Sequence, residues 1–174
     1  MKKNLVLTGL LAEMVFLTKA YILHITIVCC GYIHLGDTMV YLAAALLPTP
    51  YAMAAAAIGG GLADVLTGAA VWAPATIIIK AVMVIPFTAK KEKLLCLCNG
   101  VAPLFAGIFG VAGYFAAEIA IVMLSGGVWQ SAFGGAVAAI PFNCVQELVG
   151  GAAFVALAAA MDRLRVKQRL QRIG

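Results

Sequence analysis

Charge is scarce in this chain. Only 11% of its 174 residues are Asp, Glu, Lys or Arg, and only seven are acidic. A soluble globular domain carries about 25% charged residues, so no segment here has the composition of one. The sequence also lacks G-x-x-x-x-G-K-[ST], which excludes ATP binding through a Walker loop. It lacks H-E-x-x-H and G-x-S-x-G, so neither a zincin site nor a nucleophile elbow is present. There are five cysteines and two histidines. Cys29-Cys30, Cys96 and Cys98 do not have zinc-site spacing with histidine partners, which leaves packing as their ordinary role. No inverted repeat of the kind common in secondary transporters is visible. Polynucleotide chemistry finds no footing either, and neither a cofactor nor a metal is expected.

What is present is apolar. Hydrophobic residues make up 64% and the mean hydropathy is +1.06. A spanning helix needs about 20 apolar residues, so this length accommodates about six such helices with short links. The expected fold is an all-α membrane protein, one domain over 1–174, built as a compact bundle of six transmembrane helices. Abundant Ala and Gly let such helices approach closely. Lys2-Lys3 and the following Leu5–Leu11 resemble a signal peptide, but the apolar run continues past Glu13 and Lys19 to His24 without a small-residue cleavage site. It reads as the first helix.

Predicted helices cover about 5–23, 38–47, 51–66, 73–88, 101–124 and 141–161. The segment 25–37 is a loop or short hairpin. Pro48 and Pro50 end helix 2, and Pro74 sits in the first turn of helix 4. Gly-rich 125–140 is either a long loop or a partly inserted segment. A basic tail follows helix 6.

Ten of the twelve Lys and Arg fall in three clusters: Lys2-Lys3, then Lys90, Lys91 and Lys93, then Arg163, Arg165, Lys167, Arg169 and Arg172. Six helices put all three on one side. The positive-inside rule makes that side, and both termini, cytoplasmic. Trp72, Trp129 and Tyr32 then fall at the outer interface, where aromatic residues collect.

Seven charges lie inside or at the edges of apolar stretches: Glu13, Lys19, Asp37, Asp64, Lys80, Glu118 and Glu147. An ionisable group at membrane depth is costly unless it meets a partner or a cavity, which makes it a functional-site candidate. At 1.5 Å per residue Lys80 lies about 12 Å below the outer start of helix 4, and Glu118 about 9 Å below the outer end of helix 5. Asn143, Gln146, Glu147, Gly150 and Gly151 repeat at helical spacing and share one face. Gly107, Gly110, Tyr114 and Glu118 do the same on helix 5. Asp64 follows Gly59-Gly60-Gly61 and either joins the site or caps the next loop. Asp37 fits an N-cap of helix 2. Lys19 fits a snorkelling residue, and His34 is isolated in the sequence. A structural ion pair would explain one Lys and one acid. More groups than that share the outer half, and they describe a pocket open outward and closed below.

Some segments resemble a known family. Gly31-Tyr32-Ile33-His34-Leu35-Gly36-Asp37-Thr38 leading into 40–47 is similar to the loop and second helix of energy-coupling-factor (ECF) transporter S components, of the riboflavin-type subgroup that also holds proposed pyridoxine and hydroxymethylpyrimidine carriers. Leu62-Ala63-Asp64-Val65-Leu66-Thr67-Gly68, then Ala73-Pro74-Ala75-Thr76-Ile77-Ile78-Ile79-Lys80, resembles that subgroup's helix 3 to helix 4 segment. Pro141-Phe142-Asn143 with Gln146 resembles the start of its helix 6. The resemblance implies a vitamin-binding membrane subunit in the bacterial-type cell membrane, not an enzyme. It would capture its ligand outside, topple to release it inside, and work with a membrane coupling subunit and two cytoplasmic ATPase subunits. The substrate-binding candidates are His34, Asp64, Trp72, Lys80, Tyr114, Glu118, Asn143, Gln146 and Glu147. Family members dock through Ala-x-x-x-Ala on helix 1. The nearest match here is Thr8-x-x-x-Ala12 with Gly9 beside it, expected on an exposed face. Several carboxylates, one Lys and two amides suit a pyridoxine-like or hydroxymethylpyrimidine-like heterocycle. Few aromatics are available to sandwich riboflavin. The alternative is a stand-alone proton-coupled secondary transporter using Asp64, Glu118 or Glu147.

Overall fold

A computed structural model describes residues 2–22, 25–27 and 31–172, with side chains for 2–22 and 34–170. Cys29, Cys30 and His24, and the side chain of Tyr32, lie outside these. Helix α1 covers Lys2–Ala20. A hairpin follows, in which β1 (Ile25–Ile27) pairs antiparallel with β2 (Gly31–Ile33), Ile25 opposite Ile33. Then come α2 (Gly36–Leu46), α3 (Thr49–Leu66), a single 3-10 turn at Ala70–Trp72, and α4 (Ala73–Met83). The last helices are α5 (Leu97–Leu124), α6 (Trp129–Arg163) and α7 (Val166–Arg172).

The helix lengths differ from the sequence expectation in informative ways. Helix α6 runs unbroken from Trp129 through Pro141, so 125–140 is mostly helix and Pro141 is not a helix start. In apolar surroundings the backbone must satisfy its own hydrogen bonds, and helix persists through Gly and Pro that would end it in water. Only Ser125–Val128 link α5 to α6, with Gly126 at φ 83° in the tight turn. Helix α4 stops at Met83 rather than Thr88. Pro86 supplies no N–H and disfavours helix at the residue before it, and the chain continues as single turns closed by Ile85 to Val82 and Phe87 to Val84.

At 28 and 35 residues, α5 and α6 are long and apolar enough to cross a membrane. They extend about 42 and 52 Å, against a hydrocarbon core of about 30 Å. Helices α2 and α4 have 11 residues each, about 17 Å, so neither spans by itself.

Helix α2 is the core of the bundle. Nine of its eleven residues are buried. Tyr41 stacks on Phe87 at 5.1 Å between centroids, and Phe154 meets both rings edge-on. Helix α1 packs against α3 at close range, because a Cβ on Gly59 would lie 2.7 Å from the Val15 Cβ.

The two ends of the bundle are distinct. At one end the Lys3 ammonium donates to the Leu170 carbonyl, joining the start of α1 to α7. Lys167 donates to the carbonyls of Ala45 and Ala89. Asp162 accepts from the backbone N–H groups of Leu94 and Leu95, at 2.8 and 2.9 Å. The buried Asn99 side chain holds the α4–α5 link by accepting from Thr88 N–H and donating to the carbonyls of Thr88 and Leu94. Cys96 caps α5 through Asn99 N–H. The three basic clusters therefore meet at this end. The other end carries the hairpin, the α3–α4 turn and the α5–α6 turn.

Candidate functional site

Helix α2 enters the bundle with its first turn buried, and this sets the site. Gly36 opens the helix. Its N–H donates to His34 Nδ1 at 3.0 Å, so buried His34 shapes the entry of the chain. The helix boundary residue is Leu35, which makes no side-chain cap. Asp37 is thus inside the first turn rather than an N-cap, and its carboxylate is free to reach across the bundle.

It reaches α4 and α6. Lys80 donates to Asp37 Oδ1 in a fully buried ion pair. Gln146 Nε2 donates to Asp37 Oδ2 at 2.8 Å. Gly150 makes room for this, since a Cβ there would sit 3.1 Å from the Asp37 Cβ. One turn further along α2, the Tyr41 hydroxyl donates to Glu147 Oε2. Thr38 Oγ1 donates to the Gly150 carbonyl at 3.2 Å. Asp37, Thr38 and Tyr41 together hold α2 against α6.

Aromatic groups flank the pair. The Lys80 ammonium lies 5.2 Å from the centre of the Tyr114 ring, a separation at which a cation is attracted to the ring face. Tyr114 and Thr76 share a hydroxyl contact of 3.3 Å. Trp72, half-buried, lies 6.2 Å from Tyr114 with the rings tilted by 52°. Lys80, Tyr114, Trp72, Gln146 and Glu147 are therefore gathered around Asp37 and Tyr41.

The other expected site residues are arranged differently. Asp64 pairs with Lys19 at 2.6 Å, both buried, and Lys19 also donates to the Gly60 carbonyl. That second pair ties α1 to α3 next to Lys80, because a Cβ on Gly60 would lie 3.2 Å from the Lys80 Cγ. Lys19 does not snorkel. Glu118 is half-buried and faces α6, where a Cβ on Gly135 would lie 3.2 Å from its Oε1. Asn143 is half-buried on α6, one turn before Glu147. On α1, Thr8 and Ala12 are buried at 6% and 7% exposure and turned toward the bundle. This corrects the expected exposed face: α1 turns both residues inward, Ala12 against Gly59 of α3. Gly9 is exposed, with no atom within 4 Å of where a Cβ would stand.

A cleft of about 990 Å³ lies between α5 and α6, walled by residues such as Pro103, Phe115 and Val155. Its one charged lining residue is Glu147, which connects this cleft to the Asp37 cluster. A family model for the ECF-type riboflavin transporter, S component, matches residues 1–163.

The chain belongs to this family. An S component is the substrate-binding membrane subunit of an ECF importer and acts with an ECF module of membrane and ATPase subunits. No curated protein matches the chain. For this S component, sequence reasoning placed Asp37 among the outer-half charges but favoured a capping role for it, and missed Tyr41 as a member of the cluster. Their i and i+4 spacing on an otherwise apolar helix was the available signal.

Proposed function

We propose that this S component captures a small, polar, single-ring vitamin or vitamin precursor, pyridoxine-like or hydroxymethylpyrimidine-like, through the cluster around Asp37. The family membership carries the reading, and the chemistry of the cluster supports the substrate class. Carboxylates of Asp37 and Glu147 accept from ligand hydroxyls or a protonated ring nitrogen. Lys80 donates to an electronegative ring atom, and the amides of Gln146 and Asn143 do both. Trp72 and Tyr114 offer one aromatic pair, matched to one ring. Glu118, one turn beyond Tyr114 on α5, and His34, ahead of α2, would add polar contacts to the ligand, and Asp64 would act from the neighbouring pair.

The chain passes across the membrane six times, the short α2 and α4 completed by the non-helical segments beside them, with the basic end and both termini in the cytoplasm, in keeping with the positive-inside rule. The Asp37 cluster then faces outward. ATP-driven uptake follows from association with the coupling subunit and two ATPases. Family membership favours this over the proton-coupled secondary transporter, which would require no partner chains.

Native mass spectrometry of the purified protein tests the substrate class. A co-purified single-ring heterocycle supports it. Co-purified riboflavin overturns the single-ring assignment while leaving the S-component role intact.

A further inference from the structure

A second cavity, of about 580 Å³, lies at the basic end of the bundle. Three lysines contribute to its lining from separate parts of the chain: Lys3 on α1, Lys90 in the α4–α5 link and Lys167 on α7. No carboxylate lines it. Lys167 is buried, at 4% exposure, and its ammonium donates to the carbonyls of Ala45 and Ala89 at 2.9 and 2.8 Å. Lys3 donates to the Leu170 carbonyl. Carbonyls orient these ammonium groups without neutralising them. Burial pushes the Lys167 ammonium below its ordinary pKa, and Cys96 and Asp162 oppose that only in part.

Buried charges are ordinarily paired. Cations converging on a concave surface without an acid create a field that concentrates anions. The N-terminus of α3 opens at the same cavity through Thr49, adding the positive end of an 18-residue helix. Leu7 and Leu11 of α1 also line it. A cavity whose lining combines ammonium groups with apolar side chains fits an amphiphile with a phosphate head.

We propose that this pocket binds the phosphate of an acidic phospholipid headgroup, with the glycerol and upper acyl chain along Leu7 and Leu11. A free phosphate ester offers the same charge without the apolar part, so the test separates the two sources. The pocket sits at the end opposite the Asp37 cluster, and vitamin binding is the internal control.

The test is native mass spectrometry of the full chain from micelles doped with phosphatidylglycerol or phosphatidylcholine, with and without inorganic phosphate. The wild type should retain phosphatidylglycerol in preference, and excess phosphate should not displace it. Lys3→Gln and Lys90→Gln should each reduce that preference about fivefold and leave vitamin binding unchanged. Lys167→Gln strands the carbonyls of Ala45 and Ala89 and can unfold the protein, so the other two variants carry the test. Competition by phosphate without a lipid preference overturns the lipid assignment. Equal retention of both lipids with no effect of phosphate overturns the pocket.

Discussion

Lys80 on α4 and Asp37 in the first turn of α2 form a buried ion pair across 43 positions of sequence. Gln146 holds the second Asp37 oxygen, and Tyr114 presents its ring to the Lys80 ammonium. Three helices therefore meet through one carboxylate.

Breaking that pair from one side should be severe. Lys80→Met leaves the Asp37 charge buried without its cation, which costs about 3–5 kcal/mol. Adding Asp37→Leu removes both charges and should restore most of the stability, since replacing a buried pair by apolar groups is often neutral. Binding should not return. Thermal unfolding in detergent and calorimetric titration measure the two effects. A double variant that binds like wild type makes the pair purely structural.

Glu118 and Asn143 separate binding from folding more cleanly, because both are half-buried and neither is in the Asp37 network. Glu118→Ala and Asn143→Ala should change stability by no more than about 0.5 kcal/mol. Affinity should fall about 5- to 150-fold if each loses a ligand hydrogen bond worth about 1–3 kcal/mol. Two variants with wild-type affinity would remove both residues from the site.

Helix α1 offers a contrast between an inward and an outward small residue. Ala12→Leu should overpack the α1–α3 contact and destabilise the protein by about 1–3 kcal/mol. Gly9→Leu adds a side chain to open space, so folding and ligand binding should persist. Small residues permit close helix approach in membranes, so co-purification with the coupling subunit should be lost in Gly9→Leu. Retained co-purification would exclude the Gly9 face as the docking surface.

Topology is open to labelling. In a cysteine-free background, Lys91→Cys should react only after the cells are opened, and Gly126→Cys should react from outside. Labelling of position 91 in intact cells would invert or break the six-crossing arrangement.

Much of the fold was legible because membrane helices announce themselves by hydropathy and proline. The Leu47-Pro48 break, the α3–α4 turn and the basic clusters at one end all follow from composition and position. The extent of α6 was not legible, since Gly134-Gly135 and then Pro141 are poor helix formers that read as breaks, whereas a backbone that must satisfy its own hydrogen bonds keeps the helix through them. The pairing of charges was harder still. Lys19 with Asp64, and Lys80 with Asp37, depend on which helix faces which, and one-dimensional spacing does not record that. Lys80, Gln146 and Glu147 were placed by depth and helical face alone. Asp37 was misread as a cap because Asp in a first turn is common for that reason, and Thr8 and Ala12 were misread because small residues serve internal packing as readily as docking.

The central claim is that this S component binds a single-ring vitamin-like heterocycle by itself, outside any gradient. Calorimetric titration of the purified, detergent-solubilised protein with pyridoxine, hydroxymethylpyrimidine and riboflavin tests it most directly. The account predicts saturable, tight binding of a single-ring compound and its loss in the Asp37→Leu, Lys80→Met double variant. Tight binding of riboflavin alone, or binding unaffected by that double variant, would contradict it.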